Sequence, residues 1–228
     1  MAKKKVILFI VEGINDKTCL ESVLGKIIDS NEVKFQITDG DITSKYGMDE
    51  SKIKNEVGVV VKTFKDKYHL SAEHFMEVVH IIDTDGAFID DSMISVGDVD
   101  KTMYYDTGIV TSCIDNISSR NKQKSEVVKR MVSITKVLKS VPYSVYYFSS
   151  NMDHVLHNDA NMSKEEKDDA ADDFDDKYAD DPEGFLTLIC DSDFSVNGTY
   201  KESWDFIQIG NNSVCRHSNF AIYLSAYR

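Results

Sequence analysis

Residues 5 to 11, KVILFIV, are an almost unbroken run of β-branched and large apolar side chains, ended by Glu12 and Gly13. A strand with one wet face alternates, so a run that is apolar at nearly every position has to be covered on both faces. That is the pattern of a central strand in a parallel sheet. The following residues fit a crossover: Gly13 punctuates the turn, Asp16 is placed to cap a helix, and Leu20, Val23, Leu24 and Ile27 fall on one helical stripe. A second strand, VKFQIT, ends near Asp39 and Gly40. The polar loop DGDITSKYGMDES then leads to a helix from about Lys52 to Tyr68, and a third strand, EVVHII, delivers Asp83. Strand, helix, strand, helix, strand in this order predicts an α/β fold with a parallel sheet and right-handed crossovers. In such sheets function collects at the carboxyl ends of the strands.

Beyond Gly86 the chain is loop-rich and acidic to about Ser119, longer than a simple connection and expected to be partly structured or functional. A basic helix is expected next, with Val127, Met131, Ile134 and Leu138 as its buried stripe and its Lys and Arg residues mostly on the open face. A fourth strand, Tyr143 to Ser150, runs into NMDHVLHND, and the remainder reads as mainly helical. The expected organisation is a sheet domain over residues 1–158 with a helical, acidic extension over 159–228 packed on it.

Charge is segregated along the 228 residues. The overall formal charge is −13, which argues against a generic polyanion-coating protein. From Arg120 to Lys139, however, seven Lys or Arg face one Glu, a local net of +6, and from Asp159 to Asp181 the local net is −8. A local basic face can meet phosphates although the whole chain is acidic. Lys122, Lys124, Lys129 and Arg130, with Arg216 near the C-terminus, are candidate nucleic-acid contacts, against the plainer reading of a solvated helix face. The acidic segment could cover a basic protein partner, although such runs are usually solvated. No run of about 18 apolar residues is available to span a bilayer, the basic start lacks a signal-peptide pattern, and the four cysteines form no CxxC pair. Together these features predict a cytoplasmic location with buried, reduced thiols.

The stretch IIDTDGAFID, residues 81 to 90, sets Asp83 and Asp85 at the mouth of a buried strand. Asp-x-Asp recurs elsewhere in this acid-rich chain, as DGD, DVD, DFD and DSD. The spacing matters here because Glu12 ends a neighbouring strand. Carboxylates converging on one rim repel each other and are stable together mainly with a cation between them. An Asp-x-Asp that passes from strand into turn can aim both oxygens at one ion. Glu12 could join as a ligand or move a proton. The segment LTLICDSDFSV repeats the pattern at Asp191 and Asp193 but lacks a preceding crossover, and reads as an ordinary element end.

VEGINDKTCLESVL and IIDTDGAFID together resemble the Toprim family, the catalytic domain shared by topoisomerases, bacterial primases and overcoming-lysogenization-defect-type (OLD-like) nucleases. The resemblance covers about residues 5 to 157, and the VEGxxD form ending at Asp16 is most similar to the nuclease branch. It implies a Rossmann-like parallel sheet of about four strands. It maps Glu12, Asp83 and Asp85 to catalytic and metal positions for Mg²⁺ or Mn²⁺. It also implies metal-dependent cleavage of nucleic acid, DNA or RNA, in a mobile-element or phage-defence setting. Asp153, just past the fourth strand, matches the place where nuclease-type members add acids for a second metal, while helix capping explains an Asp there equally well. His154 and His157 could share a helical face as ligands, but no soft ligand stands near them in sequence.

Two other functions compete. In the first, DTDGAFID is a haloacid-dehalogenase-like phosphatase motif with Asp83 as nucleophile and Asp85 as acid. Ala87 stands where that pattern usually has Thr or Val, and a full βαβ unit precedes the motif here. In the second, the chain is a non-catalytic binding module with a Toprim-like fold.

Overall fold

The structure, a computed structural model, describes residues 5–228. Its centre is a mixed five-stranded sheet in the order β2-β1-β3-β8-β7. The strands β1 (Val6–Val11), β2 (Glu32–Ile37), β3 (Phe75–Asp83) and β8 (Val141–Phe148) are parallel, and β7 (Lys136–Val137) is an antiparallel strand at the edge. All six residues of β1 are buried, as a run apolar on both faces requires. Its side chains divide by parity. Ile7, Phe9 and Val11 face a core shared with α1 (Ile14–Ile27), whereas Val6, Leu8 and Ile10 face a second core shared with α2 (Ile53–Lys67) and α3 (Ile114–Val132). Period-two alternation within one strand therefore serves two hydrophobic layers.

The C-terminal helices complete both layers. From α5 (Lys164–Tyr178) and α6 (Pro182–Asp191), Phe174, Tyr178, Phe185 and Ile189 join the α1 side of the sheet, as do Phe220 and Leu224 of α8 (Phe220–Leu224). From α7 (Tyr200–Ile207), Trp204 and Ile207 join the α2 and α3 side. The acidic residues of α5 stay at the surface because its buried stripe is only Ala171, Phe174 and Tyr178.

One expectation gains detail and two need correction. The loop-rich stretch after Gly86 folds into a second, three-stranded sheet in the order β4-β6-β5, made of β4 (Ile94–Val96), β5 (Met103–Tyr105) and β6 (Gly108–Thr111). The basic helix ends at Val132, so Ile134 and Leu138 do not extend its stripe. Leu138 and Lys139 take consecutive left-handed conformations, φ 43° and 71°, in the tight connection from β7 to β8. Both apolar residues still reach the same core, which is why the helical spacing looked continuous. Finally, of four free cysteines only Cys19 is buried; Cys113 is exposed and the other two are half-buried. Among the described residues no helix is long and apolar enough to cross a membrane.

Candidate functional site: an acidic cleft at the carboxyl rim

β1 and β3 are hydrogen-bonded neighbours, with Ile10 opposite His80, so the residues that follow them emerge side by side. Glu12 Oε1 accepts the Asp83 backbone N–H at 3.3 Å. Asp83 Oδ1 in turn accepts the N–H of Met152, at 3.0 Å, in the first turn of α4 (Met152–His157). Asp16 folds back in the first turn of α1, and its Oδ2 accepts the Gly13 N–H at 2.8 Å. Glu12, Asp16, Asp83 and Asp153 all line one cleft of about 410 Å³, together with Asp39 and Asp168 and with Lys164 and Lys167 from α5. Ile14 and Ile37 supply its apolar wall.

The electrostatics are those of acids crowded together. Burial, followed by the charges of Asp41, Asp85 and Asp16 and offset in part by Lys124, pushes the Glu12 carboxyl well above the usual carboxylate range. Burial and then Glu12, Asp16 and Asp85 do the same to Asp83. Asp16 is raised to about 6, chiefly by burial and further by Asp153, against the Gly13 N–H that favours its charged form. Asp153 does not cap α4. Asn151 does so, accepting the His154 N–H at 2.8 Å, and Asp153 is ion-paired with Lys167. Burial alone would lower the Lys167 ammonium, but Asp153 holds it above its ordinary value.

The second aspartate of the motif behaves differently. Asp85 has φ 49° and Gly86 φ 66°, two successive left-handed residues that turn the chain sharply away from the rim. Gly86 is also required for space, since a Cβ there would stand 2.6 Å from Val214 Cγ1. The turn is pinned by Asp85 N–H on Ser150 O (2.8 Å) and by Thr84 Oγ1 on Ser213 O (2.8 Å). The Asp85 carboxylate is ion-paired with Lys124, which also reaches Asp41 Oδ2 at 2.9 Å. Arg120 donates to Asp85 O and to the Tyr104 hydroxyl, each at 2.7 Å.

Lys124 is therefore not one of the open-face lysines. Its side chain is 0% exposed, because the turn of α3 that carries it packs over the rim. Lys122, Lys129 and Arg130 remain exposed on α3, with the Lys129 ammonium 6.0 Å from the Phe88 ring centroid. Arg216 is half-buried; its Nε donates to Val155 O at 2.8 Å and its guanidinium lies 4.8 Å from the Phe194 centroid. His154 is buried, with Nε2 3.8 Å from Asp106, and His157 packs edge-on against Phe174. Asp191 pairs with Arg228 at the end of α6, away from the cleft.

Sequence reasoning missed Asp41, Lys167, Arg120 and Tyr104. Asp41 belongs to the DGD stretch that composition alone made unremarkable, and Lys167 is masked by the acidic run around it. Among the described residues no group of three or more His, Cys, Asp and Glu side chains stands ready to hold a metal ion. No family model matches this chain, and no curated protein and no solved structure is significantly similar to it, so its functional reading rests on the chemistry of the cleft.

Proposed function

We propose that the protein is a Toprim-like, divalent-cation-dependent phosphodiesterase acting on nucleic acid, with Glu12 and Asp83 at its centre. The observation that carries this reading is the convergence of Glu12, Asp16, Asp83 and Asp153 in one cleft, where burial and mutual repulsion work against their charged forms. The donors present are hard carboxylate oxygens with no thiol or imidazole among them, which suits Mg²⁺ or Mn²⁺ rather than zinc. Mg²⁺ is commonly held by one or two carboxylates and completes its shell with waters and substrate phosphate, so Glu12 and Asp83 suffice without a larger cage. Such an ion supplies charge stabilisation to a phosphate in displacement and lowers the pKa of water bound to it.

The chain's own residues divide the remaining work. Asp83 is oriented by the Met152 N–H and Glu12 by the Asp83 N–H. Burial drives the Glu12 carboxyl toward its protonated form, a cost that a cation beside it would offset. Lys164 and Lys167 border the same cleft and are placed to meet phosphate oxygens. The exposed Lys122, Lys129 and Arg130 extend positive charge along α3, and the acidic outer face of α5 suits a basic protein partner.

The phosphatase reading requires Asp85 as a proton donor, whereas its carboxylate is ion-paired with the buried Lys124. The test is incubation with single- and double-stranded DNA and RNA in Mg²⁺ or Mn²⁺, and with a phosphomonoester, for the wild type, Glu12→Gln and Asp83→Asn. Nucleic-acid cleavage lost in both variants is the expected result. Phosphomonoester turnover that survives Glu12→Gln but not Asp83→Asn would transfer the assignment to the phosphatase. Inactivity on every substrate, with no rise in melting temperature on adding Mn²⁺, would leave a binding module.

A further inference from the structure

We propose that Asp85 is not a cation ligand but one end of an internal strut, Asp41–Lys124–Asp85, and that Lys124 limits the cleft to a single divalent cation. The inference rests on the reading of the cleft as a divalent-cation site. The Lys124 side chain is wholly buried, and its ammonium sits between Asp41 Oδ2 and Asp85 Oδ2. The other oxygens of both partners are also engaged. Asp41 Oδ1 accepts the Thr43 N–H at 2.7 Å and the Thr43 hydroxyl at 2.5 Å, and Asp85 Oδ1 faces the Tyr104 hydroxyl at 3.5 Å. Neither Asp41 nor Asp85 lines the cleft that holds Glu12, Asp16, Asp83 and Asp153.

Two-cation phosphoryl-transfer sites place their ions about 4 Å apart, between shared carboxylates. Here a fixed positive charge already stands at Asp85, since the buried Lys124 ammonium is ion-paired with both Asp41 and Asp85. A second divalent ion at that place would meet the ammonium, and Asp153, the other acid placed for a second ion, is already ion-paired with Lys167. Lys124 is thus a positioning residue. It touches no substrate, but it neutralises two of the rim acids, joins the segment after β2 to the turn after β3, and leaves Glu12 and Asp83 as the pair open to a cation.

The test is Mn²⁺ binding to the full chain, read as ions bound per chain by calorimetry, with folding of each variant checked by circular dichroism. One Mn²⁺ is expected for the wild type and for Lys124→Arg. Lys124→Met, which releases both Asp41 and Asp85, is expected to bind two, and the double variant Lys124→Met with Asp85→Asn to return to one. Asp85→Asn alone keeps one Mn²⁺, and this arm decides the matter should Lys124→Met fail to fold. Two ions in the wild type, loss of binding in Asp85→Asn, or a folded Lys124→Met that still takes one ion would each overturn the inference while the cation-dependent reading stands. A wild type that binds no Mn²⁺ overturns both.

Discussion

Substituting Asp16 by asparagine should stabilise the cation-free protein at neutral pH and leave it unchanged in acid. Asp16 is held in the first turn of α1 with its carboxyl raised from 3.8 to about 6 by burial and by Asp153. The folded state therefore grips this proton more tightly than the unfolded chain does. The stabilisation from that grip is complete below about pH 4, declines as the pH rises, and is gone above about pH 6. The two pKa values lie about two pH units apart, at about 1.4 kcal/mol each, so ionised Asp16 weighs against folding by about 3 kcal/mol at pH 7.5. Asparagine keeps an acceptor for the Gly13 N–H and carries no charge. The variant should accordingly exceed the wild type by about 3 kcal/mol at pH 7.5, or some 6 to 12 °C in Tm for a chain of this size, and match it at pH 4. Paired urea and thermal melts at the two pH values measure this difference. The reasoning is refuted if the gap between variant and wild type is the same at both. With Mn²⁺ present the wild type should recover more than the variant, because the ion supplies the countercharge that the substitution makes unnecessary.

Four further outcomes follow from the geometry. His80 is buried in β3 against the Tyr143 hydroxyl and is lowered to about 3 by burial, so its contribution is full above pH 6.5 and is lost as the pH falls; relative to His80→Gln, the wild type should lose about 2 kcal/mol between pH 7.5 and pH 5 in melting experiments. Gly108 has φ 140°, and a Cβ there would stand 2.0 Å from Met93 O, so Gly108→Ala should cost about 2 to 4 kcal/mol by urea titration. If nucleic acid lies along α3, Lys122→Ala and Lys129→Ala should each reduce the slope of log affinity against log salt by about one. Arg216→Ala should leave that slope unchanged and instead lower stability by about 1 to 2 kcal/mol, since its guanidinium already serves Val155 O and Phe194.

The central sheet was legible because its signals are local. An apolar run at every position of β1, a turn at Gly13 and a third strand ending in Asp83 each follow from a few adjacent residues, and the parallel order follows from their sequence. The neighbourhood of Glu12 and Asp83 followed in the same way. What escaped depends on residues distant in sequence. Asp85 sits two places from Asp83, as the motif has it, yet the left-handed conformations at Asp85 and Gly86 send its side chain to a different partner. Lys124 lies three residues before Val127 and seven before Met131, on the buried stripe of α3, so helical spacing separates it from the exposed Lys122; its charge hid the signal. Leu138 misled for the opposite reason: helical spacing and the turn out of a two-residue strand brought it to the same core.

The cleft also has an order of assembly. Its acids Glu12, Asp16 and Asp83 belong to the first 83 residues, whereas the two ammonium groups that temper them, Lys124 and Lys167, arrive from α3 and α5. A chain in which only β1, α1, β2, α2 and β3 have come together would hold that rim with no internal countercharge. Rim closure is therefore expected late in folding, once α3 and α5 have docked. Refolding is where this should show. Divalent cations in the buffer should speed the last phase for the wild type.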